Sequence, residues 1–127
     1  MSDYLPRFKP GQAITSTSSA AITGGRLVAV SGSGTTATAA ADSTTVVGVA
    51  GQDVAASGEK FLMFPIKSGV VHKLVASGAI TAGATVVADT GGKVKAVTVG
   101  TAAAAGTDLG KALTTTTTDG DIVDVLP

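Results

Sequence analysis

The chain has 127 residues and a mass of 12.2 kDa, with nine Lys and Arg balanced by nine Asp and Glu. That length supports one domain with a sizeable core and excludes a two-domain enzyme. Zero formal net charge leaves no field to draw in a polyanion, and the absence of cysteine removes disulfides, thiolate catalysis and thiolate metal sites together.

Residues 1–12 differ in composition from everything that follows. They hold the only Tyr, one of three Phe, and two of four Pro. Pro6 and Pro10 disfavour a helix and bias Leu5 and Lys9 toward extended geometry, so the segment reads as an extended N-terminal arm. A frayed terminus is the plain alternative. Against it, Tyr4, Leu5 and Phe8 are costly to leave in water in a chain with so few large apolar groups, and with Pro6 they form a candidate docking element. The start carries no apolar run after a basic one, so no secretory signal is expected. Every apolar stretch is interrupted well before ~18 residues, so no membrane span is expected either.

The rest of the chain, 13–127, reads as a single β domain. Its text is dominated by 22 Ala, 19 Thr, 17 Gly and 16 Val, with only four aromatic residues in the whole chain. The core is therefore expected to consist of small, mostly β-branched side chains. Short runs of Val, Ile, Leu and Thr punctuated by glycine predict strands near 12–17, 26–31, 45–50, 60–67, 69–76, 84–88, 93–99, 108–114 and 120–126. Gly91-Gly92 is the strongest hairpin signal, because a clean alternation from Lys93 onward follows it. Ser31-Gly32-Ser33-Gly34 reads as a flexible turn, Ala102–Ala105 as one helical turn or a loop, and Thr114–Thr118 as a strand end entering a turn. The densest apolar stretch, Phe61-Leu62-Met63-Phe64-Pro65-Ile66, has apolar residues on both strand faces. One face is expected to enter the core, and Phe61, Met63 and Phe64 are candidates for an interface with a neighbouring subunit.

An internal repeat is more informative than any single motif. Ala21–Val30 aligns with Ala79–Ala88 at an offset of 58, while Val47–Ala50 aligns with Leu109–Ala112, and Gly58–Pro65 with Gly120–Pro127, at an offset of 62. The order is the same in both copies, about 20–66 and 78–127. Two related halves point to a pseudo-symmetric β-barrel or sandwich.

Chemistry is sparse. His72 is the only histidine and alternates with Val70 and Leu74, which makes it a strand histidine with no second imidazole or thiol to complete a metal site. Asp119, Asp121 and Asp124 lack the further oxygen ligands and closing Glu of a calcium loop and read as turn carboxylates. No phosphate loop, dinucleotide fingerprint or nucleophile elbow is present. Lys93 beside Gly91-Gly92 raises the possibility of a biotinyl or lipoyl carrier, but lacks the flanking Met or Asp context. No catalytic residue, metal site or cofactor is expected, and an enzyme is the remotest class.

The unit Ile-Thr-x-Gly-x-x-Val, which occurs at 22–28 and 80–86, is followed by Val46-Val47-Gly48-Val49-Ala50 and Gly58-Glu59, then by Leu109-Gly110-Lys111-Ala112-Leu113 and Gly120–Leu126. Over about residues 10–127 this order and spacing resembles the small capsid decoration, or cement, proteins of tailed bacteriophages. The resemblance implies a compact β-barrel or β-tulip with no catalytic residues. It also implies a homotrimer on the capsid exterior of the virion, made in the host cytoplasm, that clamps neighbouring copies of the phage major capsid protein, with the arm ordering on the shell. The aromatic, proline-bearing start departs from the usual pattern and leaves the arm's register open. An adhesion module of a tail or fibre that binds host glycans is the alternative, and it would want more exposed aromatics than Tyr4, Phe8, Phe61 and Phe64.

Overall fold

The runs of Val, Ile, Leu and Thr between glycines form ten strands in the computed structural model, which describes residues 13–97 and 108–127. They are β1 (Ile14–Ser18), β2 (Leu27–Gly32), β3 (Thr35–Thr38), β4 (Val46–Ala50), β5 (Lys60–Pro65), β6 (His72–Val75), β7 (Thr85–Asp89), β8 (Lys93–Val97), β9 (Gly110–Ala112) and β10 (Ile122–Leu126). The first five close into a barrel in the order β1-β3-β2-β4-β5, with β5 returning to β1 through the pairs Ile14↔Met63 to Thr17↔Lys60. Closure leaves no unpaired sheet edge, which lets so small a unit satisfy its backbone. The second five form a sheet in the matching order β6-β10-β9-β7-β8, and a single parallel bridge, Ala76↔Val94, joins its two ends where β1 and β3 pair in parallel in the first half. The fold is thus all-β and built from two halves of one topology.

The repeat holds down to individual hydrogen bonds. Ser18 N donates to Glu59 O and Ala76 N to Asp121 O, each at 2.8 Å; Gly25 N donates to Ala50 O at 2.8 Å and Gly83 N to Ala112 O at 2.7 Å. The isolated bridges Ile22↔Val54 and Ile80↔Thr116 correspond at offsets of 58 and 62. Even the side-chain turn is repeated, since Ala55 N donates to Glu59 Oε2 and Thr117 N to Asp121 Oδ2, both at 3.1 Å. The offset changes between β8 and β9, in a connection that is longer than its β3–β4 counterpart. Most of that connection lies outside the described residues, as does the Ala102–Ala105 run.

Two local expectations need correction. No strand is expected from the sequence at 35–38, yet Thr35–Thr38 forms β3, with Gly34 at φ +74° closing a tight hairpin from β2. Four residues between a Gly/Ser cluster and an Ala run are too short to show a period of two. The Thr114–Thr118 run is not a strand end, because only Thr116 pairs, by its bridge to Ile80. The Asp121 carboxylate accepts from the amides of Thr117 and Thr118 at 3.1 and 3.0 Å, and this local capping competes with the ladder.

Alternation along each strand fills the cores. In the first barrel Ile22, Val28, Ala50, Val54, Phe61 and Met63 form one buried cluster, with Ile14 and Val47 against it. The second half buries Ile80, Val86, Ala112, Val123 and Val125 at the equivalent positions, and His72 stands where the first half has Ile14. That second cluster also contains Leu27, Ala29, Ala39, Val49 and Ile66, so part of the first half packs onto the second in a continuous core. Backbone hydrogen bonds fix this junction: Asp42 N donates to Ala88 O at 2.9 Å and Gly92 N to Ala39 O at 3.1 Å. The Arg26 guanidinium adds a bond to Gly91 O at 2.8 Å. Gly92 has φ +72°, and a Cβ there would lie 2.9 Å from both Arg26 Cβ and Leu27 O. Glycine is required at this position on both counts.

Candidate functional site

The last strand of each half decides which apolar side chains remain available to a partner. On β5 the side chains alternate, so Phe61 and Met63 are 2% and 6% exposed while Leu62 and Phe64 are each 45% exposed. Two of the three proposed interface residues, Phe61 and Met63, therefore belong to the barrel interior, and only Phe64 presents a surface. A strand one residue wide cannot offer both faces when one of them closes a barrel. Leu62, not among the candidates from the sequence, joins Phe64 on the outer face.

The repeat places Leu126 on β10 at the position of Phe64, and it is 43% exposed. Ile122 lies on the same outer face of β10, opposite Val75 of β6, and is exposed as well. Between Ile122 and Leu126, Asp124 meets Lys73 at 3.4 Å in a solvent-facing ion pair that contributes little. Each half thus shows two large apolar side chains on the outer face of its last strand. The signal for this was already in the sequence, as the alternation Ile122-Val123-Asp124-Val125-Leu126, but no single residue there is unusual in type. The arm residues Tyr4, Leu5, Pro6 and Phe8 lie outside the described residues.

The titratable groups do not converge. His72 is buried on β6 inside the second half, and its Nε2 lies 3.1 Å from the Pro65 carbonyl, which also accepts from Ser68 Oγ at 2.8 Å. Its ring is committed to the connection between the halves. Lys93 bonds Asp119 at 2.8 Å with its side chain only 23% exposed, unlike a carrier lysine that must swing free. Asp121 is spent on the Thr117–Thr118 turn, whose amides hold its carboxyl below the usual range. Among the described residues no group of three His, Cys, Asp or Glu side chains could hold a metal ion.

Asp89, at the end of β7, is held by the side chain of one neighbour and the backbone of another. It accepts from Ser77 Oγ at 2.6 Å and from Thr90 N at 2.8 Å, and these bonds, with Lys95 and Lys93 nearby, hold it below its ordinary value. The native carboxylate binds its proton less readily than the unfolded one, so this contribution is present above ~3.9 and is lost as pH falls through the native value. Asp89→Asn should lower the melting temperature at pH 6, and the gap to the parent protein should narrow as the pH is taken below the ordinary carboxylate range. A gap that persists unchanged in acid would assign the loss to packing rather than charge.

No family model and no curated protein matches the chain. Among solved structures, it is similar to the N base of the head fiber protein gp8.5 of bacteriophage phi29, with a TM-score of 0.68, 18% identity, and coverage of 91% of this chain and 92% of that one. At that identity the likeness shows a shared fold, one that extends over both halves of the chain.

Proposed function

We propose that this protein is a non-enzymatic structural component of a phage head that binds the outer surface of the capsid and stabilises it by clamping neighbouring major capsid subunits. The observation that carries the reading is the likeness, across nearly the whole chain, to the base of a phage head fiber. The outer faces of β5 and β10 support it, because Leu62, Phe64, Ile122 and Leu126 offer apolar area on the last strand of each half, Phe64 and Leu126 at equivalent positions, in a chain with few large apolar groups. In this reading three copies gather at a three-fold position, and the arm with Tyr4, Leu5, Pro6 and Phe8 adds a further contact to the shell.

Electron microscopy of the purified protein mixed with undecorated heads tests the proposal, with density at three-fold positions as the expected result. Phe64→Asp together with Leu126→Asp should abolish that density while lowering the melting temperature by no more than about 6 °C, since both side chains are partly exposed on outer strand faces. Binding should resist chelators and fall only weakly from low to physiological salt, unlike that of a polyanion binder. Heads that remain bare with the parent protein, or that shed it in EDTA, would overturn the reading.

A further inference from the structure

The two halves share one topology, so each is a control for the other: what one face carries and its counterpart lacks is not demanded by the fold. On β10, Val123 and Val125 are buried, and Ile122, Asp124 and Leu126 point outward. The ladder with β6 sets Ile122 opposite Val75 and Asp124 opposite Lys73. Val71 and Leu126 stand one residue past the last pair, Val125↔His72, on the same outer side by alternation, and both are exposed. Along both strands this face therefore runs apolar, charged, apolar. The counterpart face of the first half pairs Thr17 with Lys60 and Thr15 with Leu62. The same ladder forms there without opposed charges and without two apolar rows.

A two-fold axis laid along the strands, midway between β6 and β10, keeps every residue at its own level and exchanges the two strands. Val75 then meets Ile122 of a second copy, Val71 meets Leu126, and Lys73 meets Asp124, each contact occurring twice. The same operation on the first half would set Thr17 against Lys60 and Thr15 against Leu62, with no charge matched. Two neighbouring strands are also what the convex outside of a rolled sheet can offer to another sheet packed about 10 Å away. Within one chain, Lys73 Nζ lies 3.4 Å from Asp124 Oδ1 and the lysine side chain is 77% exposed. Across the axis each lysine would have two carboxylates in reach and each carboxylate two lysines, which fixes the register of the contact.

We propose that the outer face of β6 and β10 is a self-association surface, occupied in the free protein by the same face of a second copy about this two-fold axis. This concerns the protein in solution and stands whether or not the chain binds heads.

Sedimentation velocity of the whole protein tests it. Six residues a side make a small contact, so twice the chain mass of 12.2 kDa is expected at about 100 μM, falling to one chain mass on about hundredfold dilution. Lys73→Asp alone would set four carboxylates face to face, and Asp124→Lys alone four ammonium groups. Each variant should stay monomeric at the higher concentration while its far-ultraviolet spectrum keeps the β signature. Mixed in equal amounts the two variants should regain the dimer, because position 73 of one copy is then matched by position 124 of the other in both contacts. The pair within each chain stays broken in that mixture, so the recovery cannot come from a repaired fold. A parent protein that is monomeric at about 100 μM would overturn the proposal, as would a mixture that remains monomeric. A parent trimer, or a dimer that both charge reversals leave intact, would overturn it by assigning the association to another surface.

Discussion

Gly48→Ala is expected to lower the melting temperature by about 10 °C, corresponding to an overpacking cost of about 3 kcal/mol. A Cβ at this position would lie 2.5 Å from Met63 Cγ, 2.9 Å from Met63 Sδ and 2.6 Å from the Phe64 carbonyl oxygen. The methionine can swing aside, but the carbonyl belongs to the β4–β5 ladder, where Gly48 stands opposite Pro65 and Val49 opposite Phe64. Relief therefore requires the two strands to part at a point where the barrel closes. The repeat supplies an internal check, because Gly110 stands at the equivalent position on β9 and a Cβ there would collide with the Leu126 carbonyl and lie 2.5 Å from Pro127 Cα. Gly110→Ala should fall in the same direction. Gly58→Ala, at φ +88° with open space around it, should cost only about 1 kcal/mol of backbone strain. Thermal unfolding of the three variants checks the ranking, and a Gly48→Ala protein within about 2 °C of the parent would mean that the strands do not approach as described.

Phe61→Ala is expected to cost about 4 kcal/mol, whereas Phe64→Ala should cost less than about 1. The two phenylalanines sit three residues apart on one strand and are equally apolar, so composition cannot rank them. Phe61 fills the first barrel with Val28, Ala50, Val54 and Met63, and its removal would leave a cavity lined by side chains too small to collapse into it. Phe64 is half out of the structure beside Gly51, the residue whose small size leaves room for its ring. Denaturant unfolding of the two single variants measures the difference directly. The opposite order would mean that β5 is shifted by one residue relative to β1 and β4, because a shift of one exchanges the two faces of a strand.

The all-β class, the positions of nine of the ten strands, the Gly91-Gly92 hairpin and the two-fold repeat with its offsets are legible in the order of the residues. These features are local or periodic. Glycines at tight turns, β-branched runs between them and the recurrence of Ile-Thr-x-Gly can be read along the chain because the physics that requires them acts over a few residues. The tertiary structure alone decided which face of β5 points inward. Phe61-Leu62-Met63-Phe64 is apolar at every position, and only the pairing of β5 with both β1 and β4 selects Phe61 and Met63 for the interior. It also decided that the halves are not independent. Leu27, Ala29 and Val49 look like ordinary strand residues until the β7–β8 hairpin is set against them, and Gly92 reads as a turn glycine until its contact with Leu27 O is seen. Contacts between residues some sixty positions apart leave no periodic trace in the chain, since what they demand is complementary shape, and shape exists only once both surfaces have formed.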